Sequence, residues 1–379
     1  LKKNLIAFKS LDKRLAPKYD KLMRKGYKEA RERLLLLVTG GAGFIGSNFI
    51  RYMLKTYSNI EITNIDKLTY AGNLENLSDI ENDKRHSFIK GDISNATLID
   101  KLFNEKDFNV IVNFAAETHV DRSMLDTSPF IETNIKGTLA LLEASREYNV
   151  KRFIQISTDE VYGSLDNEGK FSEESTLHPN NPYSASKASA DLICLSYYKG
   201  YSVPLIITRS SNNYGPYQFP EKLIPLMIKN ALEGRKLPVY GEGKNIRTWL
   251  YVLDNCRAID MVMRKGKVGE IYNIGGDYET ENIEVVRLIC KSLAEETHKN
   301  KKYYEALITF IDDPRGAAHD FRYALDYEKI KNTTSWNPTT DFTTGLKETI
   351  KWYINNREWI NSVITGEYQE YYSKVYGKR

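Results

Sequence analysis

Between residues 34 and 54 the chain carries an order of residues that few folds permit. An unbroken apolar run, 34–38, leads into Thr39-Gly-Gly-Ala-Gly-Phe-Ile-Gly46, and an apolar-periodic stretch continues through Leu54. That order reads as strand, glycine turn and helix. Gly40, Gly43 and Gly46 are spaced G-x-x-G-x-x-G. Glycines so placed allow a tight turn, close approach of backbone to a pyrophosphate and tight helix packing. The helix start then offers unpaired N–H groups and a positive dipole end to the anion. A glycine pattern alone is a weak signal, but Asp66 stands twenty residues after Gly46, at the end of the next apolar run. An acid there accepts both adenosine-ribose hydroxyls and repels a 2′-phosphate, which favours NAD over NADP. Asp92, after Lys90 and Gly91 at a third strand's end, is placed to reach the adenine.

Further short apolar runs at 60–65, 87–89, 110–114, 153–156 and 205–208 are separated by segments long enough for helices. Parallel neighbours need such crossovers, so the expected fold is α/β, a doubly wound parallel sheet of the Rossmann type. After Asn212 the spacing becomes irregular, with Pro216, Pro220, Pro225 and Pro238. We therefore expect an NAD-binding domain over 34–212 and a smaller mixed α/β substrate domain over 213–379, with segments exchanged between them. Residues 1–33 form a basic N-terminal extension, with twelve Lys or Arg against four Asp or Glu, which leaves the remainder at −4. A slightly acidic body argues against nucleic acid as a partner. The longest apolar run is too short to span a membrane. Cys194, Cys256 and Cys290 are too sparse for a disulfide framework, so a reducing cytoplasm is expected. His86, His119, His178, His298 and His319 show no pair at ligand spacing, and no metal is expected.

Tyr183-Ser-Ala-Ser-Lys187 sets a phenol and an ammonium one helical turn apart on one face. A neighbouring cation, helped by a positive nicotinamide, stabilises phenolate and brings the tyrosine towards neutrality, as a base removing a sugar hydroxyl proton requires. Ser157-Thr-Asp-Glu-Val-Tyr-Gly163 directly follows the run at 153–156. Acids at the C-terminal end of a strand in such a sheet face the ligand crevice. Hydride transfer alone needs Tyr183, Lys187 and a hydroxyl; the adjacent pair Asp159 and Glu160 is what an elimination needs.

The T-D-E segment resembles the dTDP-glucose 4,6-dehydratases of the extended short-chain dehydrogenase/reductase superfamily, and the resemblance runs from about Leu35 to about Tyr353. It is carried by Asp66-Lys-Leu-Thr-Tyr-Ala-Gly72, Asn113-Phe-Ala-Ala-Glu-Thr-His-Val-Asp-Arg-Ser123, Glu132-Thr-Asn134 and Arg209-Ser-Ser-Asn-Asn-Tyr-Gly-Pro-Tyr-Gln-Phe-Pro-Glu-Lys-Leu-Ile-Pro225. The resemblance implies that Phe44, Ile45, Asp66, Lys67, Leu68, Thr69, Asp92, Ile93, Ala115, Ala116, Thr133, Tyr183, Lys187 and Asn213 contact NAD. It implies a nucleotide-sugar site built from Thr118, Thr158, Asn212, Lys222, Leu223, Pro238, Val239, Tyr240, Arg247 and Asn282. Arg247 and Lys222 suit a diphosphate by their chemistry, whereas Asn282 also reads as a local cap. Thr158, Asp159, Glu160, Tyr183 and Lys187 are the expected catalytic set.

Two departures from the family pattern stand out. Thr248 replaces the aspartate of R-D-W, and Asp312-Asp-Pro-Arg-Gly-Ala-Ala-His-Asp320 replaces D-R-P-G-H-D, which moves the arginine past the proline and adds three residues. Arg315 is expected to restore the displaced charge to the substrate site, so binding or base preference changes more than chemistry. The reaction implied is dehydration of a nucleoside-diphosphate hexose through transient oxidation by bound NAD, making the protein a lyase of deoxysugar and polysaccharide biosynthesis. The base, thymine or uracil, is not fixed by the sequence. The helices around 134–148 and 183–198 resemble the four-helix dimer interface of this superfamily, so a homodimer is expected. The rival readings are a UDP-sugar dehydratase, a 4-epimerase or a decarboxylase sharing the fold. From another class comes a non-catalytic nucleotide-sugar or NAD sensor.

Overall fold

A computed structural model describes residues 33–364 together with Gln369 and Tyr372; apart from Arg33, the basic extension 1–33 lies outside the described residues. The strands are β1 Leu34–Thr39, β2 Ile60–Asp66, β3 His86–Lys90, β4 Val110–Asn113, β5 Arg152–Thr158, β6 Leu205–Ser210, β7 Asn212–Tyr214, β8 Leu237–Tyr240, β9 Ile246–Tyr251, β10 Ile271–Ile274, β11 Tyr278–Glu281 and β12 Ile308–Ile311. The main helices are α1 Phe44–Thr56, α2 Ala96–Glu105, α3 Thr138–Glu147, α4 Pro182–Tyr201, α5 Leu223–Leu232, α6 Val252–Lys265, α7 Asn282–Thr297 and α8 Phe342–Asn355.

Seven strands form one sheet in the order β10-β6-β5-β4-β1-β2-β3, every neighbouring pair parallel. Because helices cover both faces, the inner strands read as nearly continuous apolar runs. One face packs Phe49, Ile50 and Met53 of α1 against Ile259, Val262 and Met263 of α6. The other packs Leu102 and Phe103 of α2, Leu141 and Leu142 of α3 and Cys194 of α4 over β4, β5 and β6. Between β1 and β4 the strand order reverses, and the crevice beyond the carboxyl ends of the strands opens there. Buried polar groups pin that end: the Thr39 hydroxyl donates to Asn113 Oδ1 at 2.6 Å, and Asn113 Nδ2 donates to Gln155 Oε1 at 2.8 Å.

The smaller part is discontinuous in sequence. A three-stranded sheet, β11-β9-β7, and a parallel pair, β12-β8, pack with α5, α7 and α8 around Ile228, Val286, Leu293 and Tyr353. From beyond residue 213, α6 and β10 return to the large sheet, so both parts contribute to the walls of the cleft. Among the described residues no helix is long and apolar enough to cross a membrane.

Candidate active site

The cofactor half is built at the end of β1. Gly40 turns the chain with φ +68°, and a Cβ there would lie 2.6 Å from the Ala115 nitrogen; at Gly46 it would lie 2.4 Å from the Gly40 oxygen. These two positions admit only glycine. Helix α1 then starts with no side-chain cap, which leaves its first N–H groups aimed into the crevice. Asp66 closes β2, its Oδ2 accepting from the Ala42 N–H at 2.9 Å and its Oδ1 from the Leu68 N–H at 2.8 Å. The same carboxylate therefore braces the glycine turn and faces the cavity. Burial pushes Asp66 above its usual range, and the two N–H donors pull it back. Lys67 pairs with Asp92 at 2.7 Å on the cavity rim. Deeper in, Asn213 Oδ1 and Gln218 Oε1 are buried acceptors without a partner. A backbone cradle, an acid at the second strand's end and orphaned acceptors fit a dinucleotide carrying hydroxyl and amide donors.

The catalytic half hangs on β5 and α4. Thr158 ends β5 and caps the tight turn Asp159–Tyr162, its hydroxyl accepting from the Glu160 N–H at 3.3 Å and donating to Asp159 Oδ1 at 3.1 Å. Opposite, a capping box between Asn181 and Ser184 with Pro182 in the first turn fixes the start of α4, which carries Tyr183 and Lys187. Tyr183 and Thr158 line the same cavity. The Lys187 ammonium donates to the Ile156 carbonyl at 2.6 Å. Burial, followed by Glu160 and Asp159, holds Tyr183 well above the usual phenol range, against the Thr158 hydroxyl, which lowers it. The sequence expectation of a lowered Tyr183 is therefore not met by Lys187. Its head is turned to the β5 backbone, and desolvation and two carboxylates outweigh a cation placed there.

Asp159 and Glu160 are both raised above the usual carboxylate range, against different opposing groups. Burial and the adjacent Glu160 push Asp159 up to about 8. Burial also raises Glu160, but Lys222, Arg247 and Arg315 all oppose it. Environments that differ in this way are what an acid and base pair of carboxyls requires.

Those three cations belong to an adjoining cavity, which shares Glu160, Asn212, Asn213, Gln218, Glu221 and Lys222 with the first, so the two form one continuous cleft. Lys222 at the start of α5 donates to the Thr118 carbonyl at 2.9 Å. Arg247 is held by the Asp320 and Ile246 carbonyls at 2.9 and 2.8 Å and lies 4.4 Å over the Tyr323 ring. Arg315 pairs with Asp121 and sits beside the Tyr240 ring.

The family model described as GDP-mannose 4,6 dehydratase matches residues 37–349. A dTDP-glucose 4,6-dehydratase of Xanthomonas campestris pv. campestris (strain B100) is 48% identical over 344 residues, covering 88% of this chain and 97% of the relative. The crystal structure of a Bacillus anthracis dTDP-glucose 4,6-dehydratase in complex with NAD superposes with a TM-score of 0.80 at 52% identity, over 87% of this chain and 99% of that one. One from Streptomyces venezuelae with NAD and TYD bound gives 0.82 at 44% identity, over 87% and 100%. The chain belongs to the dTDP-glucose 4,6-dehydratase family.

Within this family frame, the residues expected from sequence converge. Gly40, Gly43, Phe44, Ile45, Gly46, Asp66, Lys67, Thr69, Asp92, Ile93, Ala115, Ala116, Thr133, Tyr183, Lys187 and Asn213 line the first cavity with Thr118, Thr158, Asp159, Glu160 and Asn212. Leu223, Pro238, Val239, Tyr240, Arg247, Asn282 and Arg315 line the second. Leu68 is set apart from the cavity lining: its backbone at φ +58° gives its N–H to Asp66, and its side chain packs on the core. Asn282 keeps an unpartnered buried Oδ1 facing the cleft rather than acting as a cap. At the first departure from the family pattern, the Thr248 hydroxyl donates to the Tyr323 carbonyl at 3.0 Å.

Several lining groups escaped the sequence reading, among them Glu117, Asp121, Gln218, Glu221 and Tyr323. Glu221 is buried against Arg122 at 3.3 Å and pushed by desolvation up to about 7. Thr133 and Asn134 sit in a π-helical turn, Ile131–Gly137, where Asn134 accepts from the Glu117 N–H at 2.9 Å and donates to the Ser186 hydroxyl at 2.8 Å. The adjacent Ala115-Ala116-Glu117 run was the available signal for Glu117.

Proposed function

We propose that this chain dehydrates dTDP-glucose to dTDP-4-keto-6-deoxyglucose with NAD as a tightly held, recycled cofactor. The observation that carries the reading is the split between Asp159, a buried acid at about 8, and Glu160, turned towards three cations, on one wall with Tyr183. When bound, NAD accepts a hydride from C4 of the hexose and returns it to C6. Gly40, Gly43 and Gly46 with the start of α1 would hold its pyrophosphate, and Asp66 its ribose.

Tyr183 removes the proton of the C4 hydroxyl, with the Thr158 hydroxyl directing the phenol oxygen. Lys187 is bonded to the Ile156 carbonyl, and a bound nicotinamide ring would add positive charge beside the phenol. Lys187 stiffens the seam between α4 and β5 and adds positive charge beneath it. A carbonyl at C4 acidifies the C5 proton, which Glu160 takes up. Asp159 passes its proton to the departing C6 hydroxyl, and water leaves. The proton on Glu160 then goes to C5 as hydride arrives at C6, so the sequence is redox-neutral. Lys222, Arg247 and Arg315 suit the diphosphate, each being a cation in the second cavity. The preference for thymidine over uridine is part of this proposal and rests on the named relatives.

A 4-epimerase would use Tyr183 and Lys187 without an acid and a base set apart, so the Asp159–Glu160 pair favours dehydration. We further propose a homodimer, on the exposed apolar residues Leu139, Leu192, Tyr198 and Tyr201 along α3 and α4. We place it in the cytoplasm, in keeping with three buried free thiols. Incubation with dTDP-glucose, UDP-glucose and GDP-mannose in parallel, followed by alkali to develop the absorbance of a 4-keto sugar, tests the function. Signal with dTDP-glucose first and foremost is expected; signal only with another nucleotide would replace the substrate, and an inverted sugar without a ketone would replace the reaction.

A further inference from the structure

Beneath the catalytic groups lies a buried ion pair that touches none of the reacting atoms. Asp191 is fully buried on α4, four residues and therefore one turn beyond Lys187 on the same face. Its Oδ2 accepts from Arg209 Nε on β6 at 2.9 Å and from the Ser157 hydroxyl on β5 at 3.1 Å, while its Oδ1 has no hydrogen-bond partner. Arg209, 1% exposed, lies with its guanidinium 4.8 Å from the ring centre of Tyr162. Tyr162 ends the turn that carries Asp159 and Glu160, and its hydroxyl donates to Asn273 on β10 at 2.8 Å.

One ion pair thus ties three catalytic pieces together: α4 through Asp191, the end of β5 through Ser157 beside Thr158, and the acid–base turn through Tyr162. We propose that Asp191 and Arg209 form the positioning pair of this active site, fixing the end of β5 and the Asp159–Glu160 turn against the helix that bears Tyr183 and Lys187. A carboxylate with one oxygen unpartnered is an expensive group to bury for packing alone, since an apolar pair of similar volume often serves as well. The unspent charge acts on its neighbours. Lys187 is lowered by burial and raised by Asp191 first and Cys194 second, and Asp191 also raises Tyr183. The charged and titratable groups around Lys187 are Tyr183, Asp191 and Cys194 on its own helix, and Arg209 reaching Asp191 from β6; β5 offers only the Ile156 carbonyl and the Ser157 hydroxyl.

The inference rests on the reading that Tyr183 and Lys187 serve the oxidation of C4, and turnover by the unaltered protein in the same assay tests that reading separately. Asp191→Asn keeps the shape and removes the charge. Lys187 and Tyr183 then both lose protons more easily, so both limbs of the kcat–pH profile move to lower pH. We expect kcat to fall about 10- to 100-fold and KM for the nucleotide sugar to stay within about threefold. Arg209→Met should slow turnover comparably, and Arg209→Lys should recover much of it. If Asp191→Asn does not fold, the double variant Asp191→Asn/Arg209→Gln leaves no lone buried charge and takes its place. A lowered Tm with kcat and pH limbs unchanged, in either the single or the double variant, would make the pair a packing feature and overturn the proposal.

Discussion

Asp159 and Glu160 show how far neighbours in sequence can diverge in state. Asp159 is buried and Glu160 partly so; Lys222, Arg247 and Arg315 all oppose the rise of Glu160, whereas of these only Arg247 opposes that of Asp159, which keeps its proton to about pH 8. The sequence made the acid's role legible, because two adjacent carboxyls cannot both ionise easily in a closed site. It did not disclose the cations that separate them, which arrive from α5, β9 and the loop after β12. The shift has a consequence for stability. The folded Asp159 pKa lies above the unfolded value of about 3.9, so its contribution is fully present below the unfolded pKa and is lost as pH rises towards 8. Asp159→Asn should therefore raise Tm, more at pH 9 than at pH 5, while abolishing dehydration. Thermal melts at the two pH values check this, and an equal Tm change at both would mean that Asp159 is ionised throughout. Glu160→Gln leaves the oxidation of C4 in place but blocks loss of the C5 proton, so bound NADH should accumulate and persist. Single-turnover absorbance spectroscopy follows it, and wild-type formation of the 4-keto-6-deoxy product by this variant would remove Glu160 from its role.

At the scale of elements, the glycine turn was the most legible piece, because its constraint is local. Gly46 would bring a Cβ within 2.4 Å of a backbone oxygen, whereas at Gly43 the distance is 3.2 Å. Gly46→Ala should accordingly cost about 1–3 kcal/mol in folding stability, and Gly43→Ala distinctly less. Denaturant titration of both variants measures the difference, and equal losses would contradict the packing. The π-helical turn Ile131–Gly137 left no local trace in the sequence, since it follows from Asn134 bonding to Glu117 and Ser186 across the fold. Nor could the sequence place Arg315 against Asp121, 194 residues away. The lengthened loop 312–320 carries Arg315 inward, braced by Asp313, which accepts from the Arg315 N–H at 3.0 Å and pairs with His319. Arg315→Ala should raise KM for the nucleotide sugar, a charge-assisted contact being worth roughly 1.5–3 kcal/mol, with kcat within a few fold. Because Arg315 also lowers Glu160, the acidic limb of kcat should move to higher pH in this variant. An unchanged KM would leave Lys222 and Arg247 to hold the diphosphate alone.

For the molecule as a whole, strand spacing was enough to foresee a doubly wound sheet, but not that β10 would extend it past β6 or that α6 would cover α1. Those contacts depend on chain return from the smaller part, which no local pattern encodes. They matter because they set the two walls of the cleft in one frame, with Asp260 of α6 accepting from Tyr52 and Tyr57 at 3.1 and 2.9 Å. The exposed apolar residues of α3 and α4 predict association at micromolar concentration; sedimentation showing monomer alone would contradict the dimer. The central claim is that one cleft oxidises, dehydrates and reduces the same hexose without net redox change. It is tested most directly with dTDP-glucose bearing deuterium at C4. The account predicts a 4-keto-6-deoxy product that carries the deuterium at C6, with no net NADH formed; deuterium remaining at C4 of an inverted sugar, or lost to water, would contradict it.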